Sequence, residues 1–253
     1  HVIEDLEKKG VIFIEDVMAV PEESIIIYSA HGVSIKIKND AKKRNLKIFD
    51  ATCPLVTKVH LEVHKYSKDG VDVILIGHKG HPEIEGTMGQ YDSDIGHIHL
   101  VESEEDVAKL NIDNKDIAYV TQTTLSIDDT AEIINVLTKK YPNIISPTKS
   151  DICYATQNRQ DAVKSILKYC NYLLVIGSVN SSNSRRLAEL ALKNNIPSRL
   201  IDSSRDIKLG ELKDKKVIGI TAGASAPKIL LDEVTDYLIS KGAVLNDIEH
   251  DAI

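Results

Sequence analysis

The sequence has no long hydrophobic run and no pattern typical of a signal peptide. A helix needs roughly 20 consecutive apolar residues to cross a bilayer, and no stretch of this chain approaches that length. The opening residues also lack the basic start and apolar centre of a secretory signal. We therefore expect no membrane partner and a cytoplasmic protein, or one of the plastid stroma if the source is a eukaryote.

The sequence also has no excess of basic residues and few cysteines. Its 31 basic and 38 acidic residues give a formal net charge of −7, which argues against a general nucleic-acid binder. Local hydrogen-bond donors can still bind a small anion against this overall charge. The three cysteines, Cys53, Cys153 and Cys170, form no C-x-x-C pair and are odd in number, so no disulfide framework is expected.

What the sequence does contain is an alternation of short apolar runs and helix-like segments. Near-continuous apolar strands separated by helices are typical of parallel sheets buried on both faces, so we predict an α/β fold. No linker or low-complexity segment interrupts the alternation. The clearest runs, rich in isoleucine and valine, are Ile25–Tyr28, Val71–Ile76, Ile117–Val120, Leu173–Ile176 and Val217–Ile220.

Each of these runs ends in a loop rich in small polar residues, glycine or histidine. The five loops read SAHGVS, GHKGHPE, TQTTLS, GSVNSSNS and TAGASAP. In open α/β sheets, ligands bind at the carboxyl ends of the strands, which is where all five loops lie. Each loop alone is compatible with an ordinary turn, but together they predict one shared ligand site.

The loop GSVNSSNS precedes a helix that we predict over Arg185–Leu192. Six of the seven residues 178–184 are Ser or Asn, whereas one serine would be enough to cap a helix. The N–H groups and the dipole of a helix N-terminus favour an anion, and neutral hydroxyl and amide donors suit phosphate oxygens. We therefore favour phosphate binding over a long cap. Arg185 and Arg186 either assist or are simply solvated.

Two further loops bring histidines and a carboxylate to equivalent strand ends. His31 lies in SAHGVS, and His78 and His81 lie in GHKGHPEIEGTMG. A single histidine there is more often a satisfied polar residue than a catalyst, but two loops with histidine beside glycine favour a functional role. Glu83 follows His81 after one stiff proline. In an enclosed pocket this carboxyl group would suit a proton donor; the alternative is that Glu83 merely starts a helix.

Cys53 and Cys153 each stand directly before a predicted helix, in FDATCPL and DICYAT. A helix N-terminus favours the thiolate, which is the form that ligates metals. The alternative is a buried structural cysteine, the commoner fate of a lone thiol. Cys170 enters a strand at its amino end, away from the predicted site, and we interpret it as structural.

Seven motifs together resemble those of the IspH/LytB family, in the family's order and over residues 1 to about 245. They are SAHGVS, DATCPLVTKVH, GHKGHPEIEGTMGQ, TQTTLS, DICYATQNRQ, GSVNSSNS and TAGASAP. The resemblance implies an α/β fold of three similar parallel-sheet α/β domains in a trefoil around a central iron–sulfur site. On this chain they correspond to the remainder of a first domain (residues 1–53), a second domain (54–149), a third domain (150–240) and a C-terminal tail (241–253).

The family reduces 4-hydroxy-3-methylbut-2-enyl diphosphate to isopentenyl and dimethylallyl diphosphates, the last step of the methylerythritol phosphate route to isoprenoids. The resemblance therefore implies an oxidoreductase with a 4Fe-4S iron–sulfur cluster, a diphosphate substrate and a flavodoxin- or ferredoxin-type electron donor. In such enzymes the cluster performs the electron chemistry, while the protein positions the leaving oxygen and delivers protons.

The resemblance also implies roles for the residues at matching motif positions. Cys53 and Cys153 look like two of the three cluster ligands. Glu83 is similar to the family's proton-delivering carboxylate, and Thr123 to the hydroxyl that orients the substrate and relays the proton. The residues that resemble the family's diphosphate-binding set are His31, His81, Thr123, Ser181, Ser182, Asn183 and Ser225.

The family places its first cluster cysteine and one diphosphate-binding histidine upstream of HVIEDLEKKG, the opening of this sequence. His1 does not match that histidine, and the motif around Cys170 is not a ligand motif. We therefore expect the 253-residue chain to be N-terminally incomplete, to bind a cluster poorly or not at all and to be inactive or impaired in activity. Two alternatives stay open: a metal-free phosphosugar-binding or isomerase module, in which Cys53 and Cys153 are inert, and a non-catalytic remnant.

Overall fold

The computed structural model describes residues 2–246, and within them strands and helices alternate along the chain. All the strand pairs formed by these residues are parallel, which confirms the predicted α/β class. The strands are β1 (Ile25–Tyr28), β2 (Lys47–Asp50), β3 (Asp72–Ile76), β4 (Ile98–Val101), β5 (Ile117–Thr121), β6 (Tyr172–Ile176), β7 (Ser198–Ile201) and β8 (Ile218–Ala222).

The helices between these strands are α1 (Val2–Lys8), α2 (Ile35–Lys43), α3 (Pro54–Asp69), α4 (Pro82–Met88), α5 (Glu104–Lys109), α6 (Ile127–Lys140), α7 (Tyr154–Ile166), α8 (Ser182–Lys193), α9 (Leu209–Leu212) and α10 (Lys228–Ser240). Their ends follow the expected sequence signals. Pro54 opens α3, and Gly70 ends it in the left-handed conformation, with φ of 69°. The hydroxyl of Ser126 accepts a hydrogen bond from the N–H of Asp129 at the start of α6.

Residues 2–123 and 131–151 belong to one compact unit, which contains two sheets. In the sheet of order β4-β3-β5, both β3 and β5 are buried along their whole length, which explains their unbroken apolar sequences. Strand β3 packs against Val59 and Val63 of α3. The sheet β1-β2 has its own small core, in which Tyr28 packs with Ala41 of α2.

Residues 124–130 and 152–246 belong to a second unit, which contains the sheet of order β7-β6-β8. The central strand β6 is buried throughout. One core cluster joins it to Val163 of α7 and Leu187 of α8. A second cluster joins it to Val234 and Leu238 of α10. Both faces of β6 are therefore covered by helices, as its apolar sequence predicts.

The apolar run predicts that β1 is buried on both faces, and this prediction is wrong. Ile25 and Ile27 are 64% and 67% exposed, and Phe49 of β2 is 62% exposed. The core of this sheet lies on the side of α2, where alternate residues such as Tyr28 point. The strand therefore alternates in burial along its length.

One helix start also differs from the sequence-based expectation. Helix α8 begins at Ser182, three residues before the predicted Arg185, because Ser181 is its N-cap. Helix α10 has Pro227 as its N-cap. Within the part of the chain that the structure describes, no helix is both long and apolar enough to span a membrane.

The domain boundaries after residues 53, 149 and 240 stay predictions. Part of the predicted tail, residues 247–253, lies outside the described residues, as does His1.

Candidate active site

In the first unit, the two histidines predicted to bind an anion lie side by side. His31 follows β1, His81 caps α4, and their ring centroids are 5.2 Å apart in an edge-to-face arrangement. Partial burial lowers the pKa of the His31 imidazole, so this side chain is uncharged at neutral pH until an anion raises its proton affinity. His78 is not in this ring pair; its Nδ1 lies 3.6 Å from Oε1 of Glu102.

Close packing of α4 on the loop that carries His31 brings the two rings together. A Cβ at Gly86 would lie 3.1 Å from the carbonyl oxygen of Gly32, and one at Gly89 would lie 2.2 Å from Cβ of Ser34. The N–H of Ile35 donates to the Gly89 carbonyl oxygen over 3.0 Å. Side chains at these two positions, one in α4 and one at its C-cap, would push the loop away, so the geometry of the site requires both glycines.

The hydrogen bonding of His81 fixes which ring nitrogen can donate. Its Nδ1 accepts a hydrogen bond of 3.1 Å from the backbone N–H of Glu83, as an N-cap side chain does. An accepting nitrogen carries no proton, so in the neutral ring the proton is on Nε2. His81 therefore presents an N–H donor on its far side, suited to a phosphate oxygen.

Glu83 and Thr123 form the second predicted pair of this unit. Oε1 of Glu83 accepts from the Thr123 N–H at 2.6 Å, and Oε2 accepts from the Thr123 hydroxyl at 3.0 Å. Glu83 is 3% exposed. Burial raises the pKa of this carboxyl above its ordinary range, and the two hydrogen bonds from Thr123 only partly oppose the shift. The pair can thus hold a proton and accept the negative charge left when it departs.

A buried ion pair that the sequence analysis missed supports the strand end carrying Thr123. The side chain of Asp151 is 0% exposed; it accepts from Nζ of Lys58 at 2.6 Å and from the N–H of Thr121 at 2.9 Å. Burial outweighs the attraction of Lys58 and raises the pKa of Asp151. Because 93 residues separate the partners, no local pattern in the sequence could reveal the pair.

His60 was missed as well, although the helix pattern contains a signal for it. It lies on the same face of α3 as the buried Val56 and Val63, and it is 5% exposed. Its ring lies under the His31 loop, where a Cβ at Gly32 would be 2.5 Å from Cε1. Burial, helped by the charge of Lys38, lowers the pKa of His60 to about 4.

In the second unit, the anion site predicted from the sequence lies at the first turn of α8. Ser181 caps the helix, and its hydroxyl accepts from the N–H and from the hydroxyl of Ser184. Ser182 and Asn183 are buried, yet their side-chain polar atoms (Oγ of Ser182, Oδ1 and Nδ2 of Asn183) have no hydrogen-bond partner among the described residues. Buried polar groups are normally satisfied, so these atoms indicate a missing ligand or water.

The neighbouring loops leave room for this turn because they carry glycine. A Cβ at Gly177 or Gly223 would lie 2.2 or 2.0 Å from Oγ of Ser184, which is fully buried. The turn therefore packs against the backbone at the ends of both β6 and β8. Ser225, two residues after Gly223, is exposed and belongs to the loop before α10.

Cys53 and Cys153 occupy the positions predicted for them, at the N-caps of α3 and α7. Both are half-buried free thiols that make no side-chain capping hydrogen bond. Cysteine sulfur is the usual protein ligand of iron–sulfur clusters. The residues that the structure describes contain no group of three or more His, Cys, Asp or Glu side chains placed to hold a metal ion. Cys170 is buried, as expected of a structural cysteine.

Comparison with known proteins decides the family. The family model of the LytB protein matches residues 1–239. The chain belongs to the LytB family. A relative from Nitrosomonas europaea is 55% identical over 238 residues, which are 94% of this chain and 74% of the relative. One from Pseudomonas putida (strain W619) is 57% identical over 244 residues, 96% of this chain and 78% of the relative. Both are named 4-hydroxy-3-methylbut-2-enyl diphosphate reductase.

Two solved structures of diphosphate reductases are also similar to this chain. The E-1-hydroxy-2-methyl-but-2-enyl-4-diphosphate reductase from Plasmodium falciparum superposes with a TM-score of 0.88 at 43% identity, covering 94% of this chain and 74% of that one. A second structure, of (E)-4-hydroxy-3-methyl-but-2-enyl diphosphate reductase, the terminal enzyme of the non-mevalonate pathway, gives a TM-score of 0.64 at 28% identity, covering 94% and 84%.

These matches confirm the resemblance drawn from the seven motifs. The LytB family is iron–sulfur dependent, and the metal-free phosphosugar alternative is not supported.

Proposed function

We propose that this chain acts in the reductive dehydroxylation of 4-hydroxy-3-methylbut-2-enyl diphosphate. Its LytB relatives are named as reductases of this compound. In this reaction the C–O bond to the hydroxyl group breaks, and the oxygen leaves as water. Two electrons and two protons enter, and one proton forms a new C–H bond while the other completes the water. The products are isopentenyl and dimethylallyl diphosphates, so the reaction closes the methylerythritol phosphate route.

Substrate binding is assigned to neutral hydrogen-bond donors. In the second unit, Ser181, Ser182 and Asn183 would donate to diphosphate oxygens with the N-terminus of α8, and Ser225 would add its hydroxyl. In the first unit, the Nε2–H of His81 and the ring of His31 would do the same. The unpartnered buried atoms of Ser182 and Asn183 support this assignment, since a ligand would complete their hydrogen bonds.

Proton delivery is assigned to Glu83 with Thr123, and this pair is the observation that carries the proposal. A carboxyl that is 3% exposed retains its proton at higher pH than an exposed one, which suits a general acid. After the proton leaves, the N–H and hydroxyl of Thr123 stabilise the carboxylate over 2.6 and 3.0 Å. The hydroxyl of Thr123 can also relay the proton, because it both donates and accepts.

Cys53 and Cys153 would be two of the ligands of a 4Fe-4S cluster, which supplies the electron chemistry when bound. Their half-buried thiols at helix N-caps fit thiolate ligation. Electrons would come from a flavodoxin- or ferredoxin-type protein. Because the thiols must stay reduced, we assign the enzyme to the cytoplasm, or to the plastid stroma in a eukaryote.

The test compares Glu83→Gln with Glu85→Gln in the complete, cluster-loaded gene product. Gln keeps the shape of Glu83 but carries no acidic proton, so we expect kcat to fall about 100-fold or more while substrate affinity changes little. Glu85 lies exposed on the same helix, and its substitution should leave both quantities unchanged.

Single-turnover measurements with each variant separate binding from chemistry. Weaker substrate binding by Glu83→Gln at an unchanged rate of water loss would contradict the proton-donor role. Absence of any dehydroxylation by the unsubstituted, cluster-loaded enzyme would contradict the proposed function itself.

A further inference from the structure

Helix α2 and the turn after it carry an unusual concentration of positive charge. Residues 35–47 contain six basic side chains and one acidic one, a formal net charge of +5 in a chain whose total is −7. The other 240 residues therefore carry −12. We call the six side chains the basic face; they are Lys36, Lys38, Lys42, Lys43, Arg44 and Lys47.

The fold turns four of these six side chains to solvent. Ile37 and Ala41 of α2, with Leu46 after it, pack into the core of the β1-β2 sheet. The basic residues lie between and beyond these positions, so the helix period places them toward solvent. Within the basic face, the exposed members are Lys36, Lys42, Lys43 and Lys47, whereas Lys38 and Arg44 are half-buried.

Few acidic groups compensate this charge within the molecule. Lys38 lies 3.7 Å from Asp50, and Lys43 lies 3.6 Å from Asp40. Lys36, Lys42 and Lys47 have no carboxylate within ion-pair distance in residues 2–246. Lys38 and Lys42 are four residues apart on one helix, a like-charge spacing that destabilises it. The face therefore leaves positive charge available to a partner of opposite charge.

The basic face also borders the segment that carries one proposed cluster ligand. Lys38 reaches Asp50, which ends β2 only three residues before Cys53. The N–H of Cys53 donates to the carbonyl oxygen of Ala30 over 3.0 Å, in the loop that leads into α2. A protein docked on α2 would thus lie close to the Cys53 thiol, which is itself half-buried.

We propose that the basic face is the docking surface for an acidic redox protein that delivers the electrons. This rests on the proposed function, because only a reductase needs such a donor. The rest of the chain, at −12, would repel an acidic partner, so the overall field would steer it to this face. Complementary charge of this kind mainly accelerates encounter and fixes orientation, as a short-lived electron-transfer complex requires.

The experiment reverses charge on the basic face and at a matched control site. Lys36→Glu/Lys42→Glu changes two exposed lysines of α2, one near each end, neither placed in the active site. Lys213→Glu/Lys216→Glu makes the same change of charge at two exposed lysines of the second unit. Both variants of the complete, cluster-loaded enzyme are assayed with reduced flavodoxin and, separately, with dithionite-reduced methyl viologen.

We expect the α2 variant to raise the KM for flavodoxin about tenfold at low ionic strength, with the difference fading as salt screens the charges. Activity with methyl viologen should match that of the unsubstituted enzyme. The control variant should resemble the unsubstituted enzyme with both donors. Surface plasmon resonance with oxidised flavodoxin should show the same tenfold loss of affinity for the α2 variant alone.

An unchanged KM and affinity for flavodoxin in the α2 variant would overturn the proposal. An equal loss with both donors would also overturn it, because the effect would then not be on docking. Binding of duplex DNA that only the α2 variant loses, with flavodoxin affinity intact, would assign the face to a different partner. Failure of the unsubstituted enzyme to turn over with methyl viologen would contradict the proposed function, while the binding measurement would still test the docking surface.

Discussion

Ser181 and Ser182 are neighbours with the same side chain, but their hydroxyl groups differ in hydrogen bonding. The hydroxyl of Ser181 caps α8 and accepts from the N–H of Ser184. The hydroxyl of Ser182 is buried, and nothing within residues 2–246 hydrogen-bonds to it. One serine therefore stabilises the free protein, whereas the other is available for a ligand.

Alanine substitutions should separate these two roles. Ser181→Ala removes a cap and should lower the free energy of unfolding by about 1 kcal/mol. Ser182→Ala removes a buried polar atom that lacks a partner, so the free energy of unfolding should be unchanged or slightly higher. The same Ser182→Ala change should weaken the binding of inorganic pyrophosphate, measured by calorimetry. Equal destabilisation by both changes, with pyrophosphate affinity unaffected by Ser182→Ala, would contradict the ligand-binding role of Ser182.

Helix α3 and the His31 loop form a packed pair of elements, and His60 is the contact between them. Its imidazole fills the space beside Gly32, whose φ of 73° is itself a left-handed conformation. Because the ring is 5% exposed, it is buried in its neutral form. Protonation of the His60 ring would place a positive charge in this buried contact, which is unfavourable.

This contact should make the fold sensitive to acid. Folding lowers the pKa of His60 from 6.5 to about 4. Between these pH values the unfolded chain therefore binds a proton at His60 that the folded chain does not bind. The resulting stability is fully present above pH 6.5 and is lost as the pH falls toward 4, a change of about 3 kcal/mol. His60→Gln should flatten this dependence in urea unfolding measured at several pH values. His97→Gln, at an exposed histidine, is the control and should leave the dependence as steep as before.

Among the elements, burial decided what the sequence could predict. Strands β3, β5 and β6 are buried along their whole length, so only apolar residues fit and the runs are obvious. Strands β2, β4 and β7 read KIFD, IHLV and SRLI; they are partly exposed and gave no clear run. A partly exposed strand tolerates polar residues, so its apolar pattern is weaker.

The candidate site was predictable to a similar, limited extent. His31, His81, Glu83 and Thr123 stand in motifs after strands, and the structure brings them together in two pairs. The support beneath them was not predictable. The hydrogen bond that the Thr121 N–H donates to Asp151 depends on a segment that pairs with the free edge of β5 at Ile145, which only the tertiary fold determines.

Over the whole chain, the three cysteines divide into two accessible thiols and one inaccessible thiol. Cys53 and Cys153 are half-buried at helix N-caps, whereas Cys170 is 7% exposed. Burial also raises the pKa of Cys170, which lowers its thiolate fraction at neutral pH. The thiolate is the reactive form, so burial and pKa act in the same direction.

Alkylation should therefore show the difference without any measurement of catalysis. In the cluster-free protein, iodoacetamide should label Cys53 and Cys153 at least about tenfold faster than Cys170, as followed by peptide mass spectrometry. Loading the complete gene product with iron and sulfide should protect the two fast cysteines, and a chelator should restore their labelling. Cys170 should stay slow throughout and serves as the internal control. If cluster loading left the labelling of Cys53 and Cys153 unchanged, these two cysteines would not be cluster ligands. A sulfur bonded to iron reacts with the alkylating agent much more slowly than a free thiolate does.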